Sequence, residues 1–202
     1  MRKPLPAMLE LVFATQNPNK ILEVEKMLPP SLKVKGLKDI GCDEDIPETQ
    51  NTLEGNAMQK ARYIKDHYQV NCFADDTGLE IEALDGKPGV LSARYAGEHK
   101  NSNDNIEKIW RELRDVTNRK AQFRTVIALL LDGEELTFEG TVKGEIIMEK
   151  RGNDGFGYDP VFIPQNYQQT FAEMPLKEKN KISHRYQAIK MFSEYLLSLN
   201  YI

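Results

Sequence analysis

QFRTVIALLLDGEELTFEGT, residues 122–141, holds two apolar runs on either side of Asp132-Gly133. Asp-Gly between strand-like runs is hairpin chemistry, because both positions of a tight turn then tolerate positive φ. The pattern predicts two antiparallel strands, residues 122–131 and 136–141. The first half of the chain reads differently. Residues 9–15 read as a buried strand, and Asn17-Pro18 follows as a helix start, with Asn as cap and proline at the first helical position. Ile21, Val24 and Leu28 recur at helical spacing until Pro29-Pro30 ends the run. A short strand is expected around residues 32–37. Leu53, Ala57, Ala61, Ile64 and Tyr68 mark a second amphipathic helix, with Asn51 and Glu54 at capping-box spacing. Residues 70–75 and 79–84 read as two strands, parted at Gly78 and followed by Asp85-Gly86 turn chemistry. A third helix is expected over 104–116. The last runs from about Ser183 to Leu199, with Tyr186, Ile189, Phe192, Leu196 and Leu199 inward. Strand–helix alternation followed by a hairpin implies an α/β protein with a mixed β-sheet flanked by helices.

A chain of 202 residues fits a single domain spanning 1–202 and can bury a sizeable core without staples. Residues 1–7 read as a flexible extension. Their basic start is followed by an apolar stretch that Glu10 interrupts, so no signal peptide is expected. The longest purely apolar run, Val126 to Leu131, is far too short to span a bilayer, so no membrane partner is expected. The 27 basic and 31 acidic residues leave a net charge of −4, which argues against a nucleic-acid partner. Cys42 and Cys72 form no disulfide framework, and a reducing, cytoplasmic setting is expected. The three histidines are scattered, which argues against a zinc site.

Four stretches carry chemistry. TQNPNK, residues 15–20, sits at a strand-to-helix junction, where free N–H groups and the helix dipole favour a phosphate. Thr15 and Asn17 add short donors and Lys20 a full charge; the alternative is a capped helix with a solvated lysine. FADDTGLEIEAL, residues 73–84, sets Asp75 beside Asp76 after an apolar run. Adjacent carboxylates near a core call for a cation or donors. Mg²⁺ accepts one or two carboxylates plus substrate phosphates. One aspartate would hold the metal while the other polarises a water, with Glu48 completing the cluster; the alternative is a pair of solvated turn aspartates. GNDGFGYDP, residues 152–160, leaves Phe156 between glycines, either exposed to stack a nucleobase or tucked into the core. KEKNKISHR, residues 177–185, supplies Lys179, His184 and Arg185 as donors, or forms a solvated charged face. Lys60, on the second helix, adds another cation.

Together these stretches resemble the inosine triphosphate pyrophosphatase family, and the resemblance runs nearly the whole chain in the family's order. It rests on Thr15, Asn17 and Lys20, on ADDTGL at 74–79, on PGVLSARYAG at 88–97, on FGYDP at 156–160 and on Ser183-His184-Arg185. The resemblance implies an elongated α/β homodimer whose two lobes flank an active-site cleft. It implies Mg²⁺-dependent hydrolysis of ITP, dITP and XTP to the nucleoside monophosphate and pyrophosphate. It makes Asp76 the general base and a metal ligand, with Glu48 and Asp75 also near the metal. Thr15, Gln16, Asn17, Pro18, Asn19, Lys20, Thr77, Lys179, His184 and Arg185 would contact the nucleotide, and Phe156, Gly157, Tyr158 and Asp159 would hold its base. Lys20, Lys60 and Lys179 would offset charge on the leaving pyrophosphate. Two rivals are a house-cleaning pyrophosphatase for other modified nucleotides and a nucleotide-binding regulator without catalysis. A pure phosphate binder gains nothing from extra carboxylates, which counts against the regulator.

Overall fold

The computed structural model describes residues 9–199. The expected extension over residues 1–7 lies outside the described residues. Strand β1 (Leu9–Phe13) pairs in parallel with β2 (Leu32–Lys35) and with β3 (Cys72–Ile81). Strands β4 (Lys120–Leu131) and β5 (Glu134–Ile146) are joined by Asp132-Gly133, both at positive φ. A link of two residues between sheet neighbours serves only an antiparallel pair. Strand β6 (Phe162–Pro164) runs antiparallel to β5, and the six-stranded order is β2-β1-β3-β4-β5-β6. The sheet is mixed, open and flanked by helices.

Helix α1 (Pro18–Glu25) starts as expected, with Asn17 as cap. Helix α2 (Leu53–Tyr68) buries Leu53, Ala57, Ala61 and Ile64. Its cap is Thr52 rather than Asn51: the Thr52 hydroxyl accepts the Gly55 N–H at 3.0 Å, and glycine at that third position has no side chain to close a capping box. Helix α3 (Ser102–Glu112), capped by Asn101, buries Ile106 and Ile109. Helix α4 (Leu176–Ile182), which the charge run concealed, precedes α5 (His184–Ser198). Ala188, Ile189, Phe192 and Leu196 are the buried face of α5. Leu199 is exposed because it lies past the helix end, and Tyr186 is only half-buried. No described helix is long and apolar enough to cross a membrane.

The chain divides into two compact units. The first takes in the chain through Asp76, Val126–Glu139 and the chain from Gln187 on. Its core joins Leu11, Phe13, Phe73, Ile127, Leu129, Phe192 and Leu196, with Phe13 stacked on Phe73 at 4.5 Å between ring centroids. The second takes in Thr77–Thr125 and Gly140–Tyr186. Its core joins Leu79, Ile81, Ile109, Phe123, Phe162 and Phe171.

Gly78 does not break a strand: β3 runs on to Ile81, and residues 82–84 form a 3-10 turn instead of strand. The glycine is needed because the backbone of Gly89 passes close by; a Cβ at Gly78 would lie 2.7 Å from the Gly89 carbonyl oxygen. Ser92 locks that approach, accepting the Leu79 N–H at 2.8 Å and donating to the Gly89 carbonyl at 2.6 Å. Backbone cannot yield as a side chain does. Gly78→Ala is therefore expected to cost about 1–3 kcal/mol, read as a lowered urea midpoint. A wild-type midpoint would show that the Gly89 segment moves aside freely.

Candidate active site

The first unit collects acids and lysines around the middle of β3. Past the end of β1 the chain stays tied to β3, the Ala14 N–H donating to the Phe73 carbonyl at 2.8 Å. The Thr15 hydroxyl accepts the Asn17 N–H at 3.2 Å, and Asn17 Oδ1 accepts from the Asn19 and Lys20 N–H groups at 3.0 and 3.4 Å. These bonds fix the turn, so Lys20 points from the first turn of α1 to Asp75, Nζ to Oδ1 at 3.0 Å. Lys20 is thus not a solvated surface lysine. Gln16 donates to the Glu44 carbonyl at 3.0 Å, while Pro18 and Asn19 are exposed.

Asp75 and Asp76 are both buried within an unbroken strand, not solvated in a turn. Successive strand side chains point to opposite faces, and the two aspartates find different helices. Asp75 meets Lys20 of α1; Asp76 Oδ2 accepts from Asn56 Nδ2 of α2 at 3.0 Å. Lys60, also on α2 and buried, donates to the Asp75 carbonyl at 2.7 Å and pairs closely with Glu48. Burial pushes the Asp76 carboxyl up; Lys60 and Lys20 pull it back, Glu48 pushes it further, and the balance stays above the ordinary aspartate value. Burial would lower the Lys60 ammonium, but Asp76, Glu48 and Asp75 outweigh it and hold it above its usual value. Among the described residues, no group of three or more His, Cys, Asp or Glu is arranged to hold a metal ion. Glu48, Asp75 and Asp76 are engaged by ammonium and amide donors instead of standing as a three-acid ligand set.

The second unit holds the other expected residues. Gly155 has φ +76°, and a Cβ there would strike Asp159 Oδ2 at 2.1 Å. That oxygen accepts the Phe156 N–H at 2.8 Å and the Lys179 ammonium at 2.7 Å. The Phe156 ring is half-buried, with Lys179 Nζ 5.1 Å and the Arg185 guanidinium carbon 5.8 Å from its centroid. Both distances suit a cation–π contact. Arg185 is 1% exposed and donates to Thr77 Oγ1 at 3.1 Å, and Thr77 Oγ1 lies 2.6 Å from Thr125 Oγ1. His184 is buried and stacked on Phe123, centroids 4.8 Å apart. Tyr158 points into the core and donates to the Ser92 carbonyl at 2.7 Å. Residues 179, 184 and 185 are therefore buried, and the solvated-face alternative fails for them.

The sequence reading missed Asn56, Ser92 and Thr125. Asn56 left a signal: it lies three residues after Leu53 and four before Lys60 on the face of α2 that Ala57 and Ala61 mark as buried.

Comparison with known proteins identifies the family. The model of the Ham1 family matches residues 11–195. A dITP/XTP pyrophosphatase of Flavobacterium psychrophilum is 56% identical over 187 residues, 93% of this chain and 98% of that protein. One of Bacillus subtilis is 47% identical over 193 residues, 94% and 98% of the two chains. The structure of the Staphylococcus aureus Ham1 protein superposes with TM-score 0.87 at 40% identity, over 94% of this chain and 99% of that one. A HAM1 protein from Coxiella burnetii gives TM-score 0.88 at 40% identity, over 95% and 100%. The chain belongs to the Ham1 family, which bears out the resemblance carried by its motifs.

Lys60 is the electrostatic keystone of the first unit. Lys60→Met leaves Glu48, Asp75 and Asp76 short of a cation, and removing one partner of a buried ionic set costs about 3–5 kcal/mol. Urea unfolding is expected to record that loss. Adding Asp76→Asn is expected to recover part of it, because one buried negative charge then disappears.

Proposed function

We propose that the protein hydrolyses deaminated purine nucleoside triphosphates, dITP, ITP and XTP, to the nucleoside monophosphate and pyrophosphate. The observation that carries the reading is Asp76, a buried carboxylate held by Asn56 and kept basic while Lys20 and Lys60 stand nearby. The names of the relatives, dITP/XTP pyrophosphatase, support the substrate class.

Asp76 takes the proton from the water that attacks the α-phosphorus. A carboxyl whose affinity for protons is raised by burial is the better acceptor. Lys20 and Lys60 offset the charge that builds on the leaving pyrophosphate, which is most of what triphosphate hydrolysis asks of a protein. The Thr15 hydroxyl, the Asn17 amide NH₂ and the Lys20 ammonium donate to phosphate oxygens, since Asn17 Oδ1 already takes the Asn19 and Lys20 N–H groups at the start of α1.

The acids fit Mg²⁺. They offer hard carboxylate oxygens, the ion uses only one or two of these beside phosphates and waters, and a cation would offset the cost of ionising buried Asp76. Asp76 would hold it, with Glu48 alongside, whereas Asp75 points to the other face of β3 and is taken by Lys20. When bound, it neutralises phosphate oxygens and makes nearby water more acidic.

Phe156 stacks the base, its ring held in place by the cation–π contacts with Lys179 and Arg185. Hypoxanthine and xanthine carry an acceptor oxygen at position 6, where adenine carries a donor. A hydrogen-bond donor from Arg185 or a loop N–H pairs with the oxygen and leaves adenine mismatched. Lys179 and Asp159 hold that loop in shape. A homodimer and a cytoplasmic setting belong to the same reading; the family resemblance supports the first and the two free, buried cysteines the second.

Pyrophosphate release across dITP, XTP, ITP, GTP, ATP and UTP, with and without Mg²⁺, tests the reading. Rapid, Mg²⁺-dependent turnover of the first three is expected, with ATP slower by about 10⁴. Equal turnover of ATP and ITP would refute it. Asp76→Asn is expected to lower kcat by about 10²–10⁴. Phe156→Ala is expected to raise KM by about 5- to 150-fold, the loss of one stacked base, and an unchanged KM would remove Phe156 from the base site.

A further inference from the structure

We propose that Asn56 is a positioning residue for catalysis: its amide bridges Asp76 to the loop that carries Glu48, fixing the rotation of the carboxylate that accepts the proton. The proposal rests on the reading of Asp76 as the base. Asn56 is 1% exposed and spans two groups far apart in the chain. Its Nδ2 donates to Asp76 Oδ2 at 3.0 Å, and its Oδ1 accepts the Gln50 N–H at 2.9 Å. The two partners assign the orientation of the amide. Turned over, it would set oxygen against a carboxylate oxygen and an NH₂ against an N–H, two repulsions for two bonds.

A second clamp reinforces the first. Gln59, on the same helix, accepts the Thr49 N–H at 2.9 Å and donates to the Thr49 hydroxyl at 2.9 Å. Residues 48–50 are therefore held on α2 by Asn56, Gln59 and Lys60. Both of these Gln59 bonds go to Thr49 of the loop, however, whereas Asn56 also bonds Asp76. The bond from Asn56 to Asp76 is charge-assisted and buried, the strong kind. A base must present its lone pair within a few tenths of an ångström of the proton it takes, and a misplacement of about 1 Å costs on the order of 10²-fold in rate. Holding Oδ2 sets the plane of the carboxylate before substrate arrives.

The test is a double-mutant cycle on dITP hydrolysis in saturating Mg²⁺. Asn56→Asp keeps the shape and the acceptor for Gln50 but replaces the donor with a like charge. Asn56→Ala removes both bonds. Each is expected to lower kcat by about 10- to 100-fold, the rate equivalent of one hydrogen bond to a charged group. KM should stay within about 3-fold of wild type, since the substrate contacts are intact. In an Asp76→Asn background, Asn56→Ala should change kcat by less than about 2-fold, because the carboxylate it orients is gone. A merely structural role would produce the same loss in both backgrounds, tracked by the melting temperature, and that result overturns the proposal. So does a kcat within about 2-fold of wild type in both single variants. If Asn56→Ala fails to fold, the isosteric Asn56→Asp carries the cycle; failure of both to fold makes Asn56 structural and overturns the proposal. A wild-type protein inactive on dITP and XTP instead overturns the underlying reading, whereas active wild type with indifferent Asn56 variants overturns this proposal alone.

Discussion

The Lys60 ammonium and the acids around it make one another possible. A buried lysine is costly alone, and so is a buried carboxylate. Here Lys60 sits on the inner face of α2 among Leu53, Ala57, Ala61 and Ile64, all apolar, of which Ala57 and Ala61 are small. Small residues let the helix lie close to β3, and the sulfhydryl of Cys72 on β3 reaches the Ala61 carbonyl at 3.2 Å. That closeness brings Nζ within 2.7 Å of the Asp75 carbonyl and into contact with Glu48. Burial between α2 and β3 pushes the Cys72 thiol up to about 12. The acids remain in that buried ground because the lysines are there.

The second unit repeats the principle with different parts. Lys179 and Asp159 are both almost fully buried, and each is compensated by the other at 2.7 Å. Asp159 also ties down the Phe156 N–H, so one carboxylate shapes the glycine loop and anchors the cation that faces the Phe156 ring. In both units a buried ion pair serves geometry more than stability. Replacing both partners of a pair together by apolar groups of similar volume would cost little in folding, but the replacements would hold neither a carboxylate nor an aromatic ring in place.

Local signals in the chain were legible where local physics decides. Asn17-Pro18 capped α1, Asp132-Gly133 turned the hairpin, and the apolar spacing of α2 and α5 named most of their buried faces. The misreadings share one cause. Gly78 looked like a strand break because its neighbour in space, Gly89, is not its neighbour in sequence. The run from Lys177 to Arg185 left a solvated face open beside the donor role, because nothing local reveals that Asp159 waits for Lys179, or Thr77 for Arg185. Asn56 passed unnoticed although it interrupts an apolar face, because a polar residue there is explained only by what it touches.

Sequence alone determined the α/β class, the order of most elements and the residue types of the candidate site. These follow from period, turn chemistry and capping, each decided within a few neighbouring residues. Tertiary structure decided which charges are compensated and by what. Lys20 meets Asp75 across 55 positions of chain, Asn56 meets Asp76 across 20, and Arg185 meets Thr77 across 108. Electrostatic compensation in a low-dielectric interior depends on distance through space, and only the folded sheet, with helices laid on it, sets that distance.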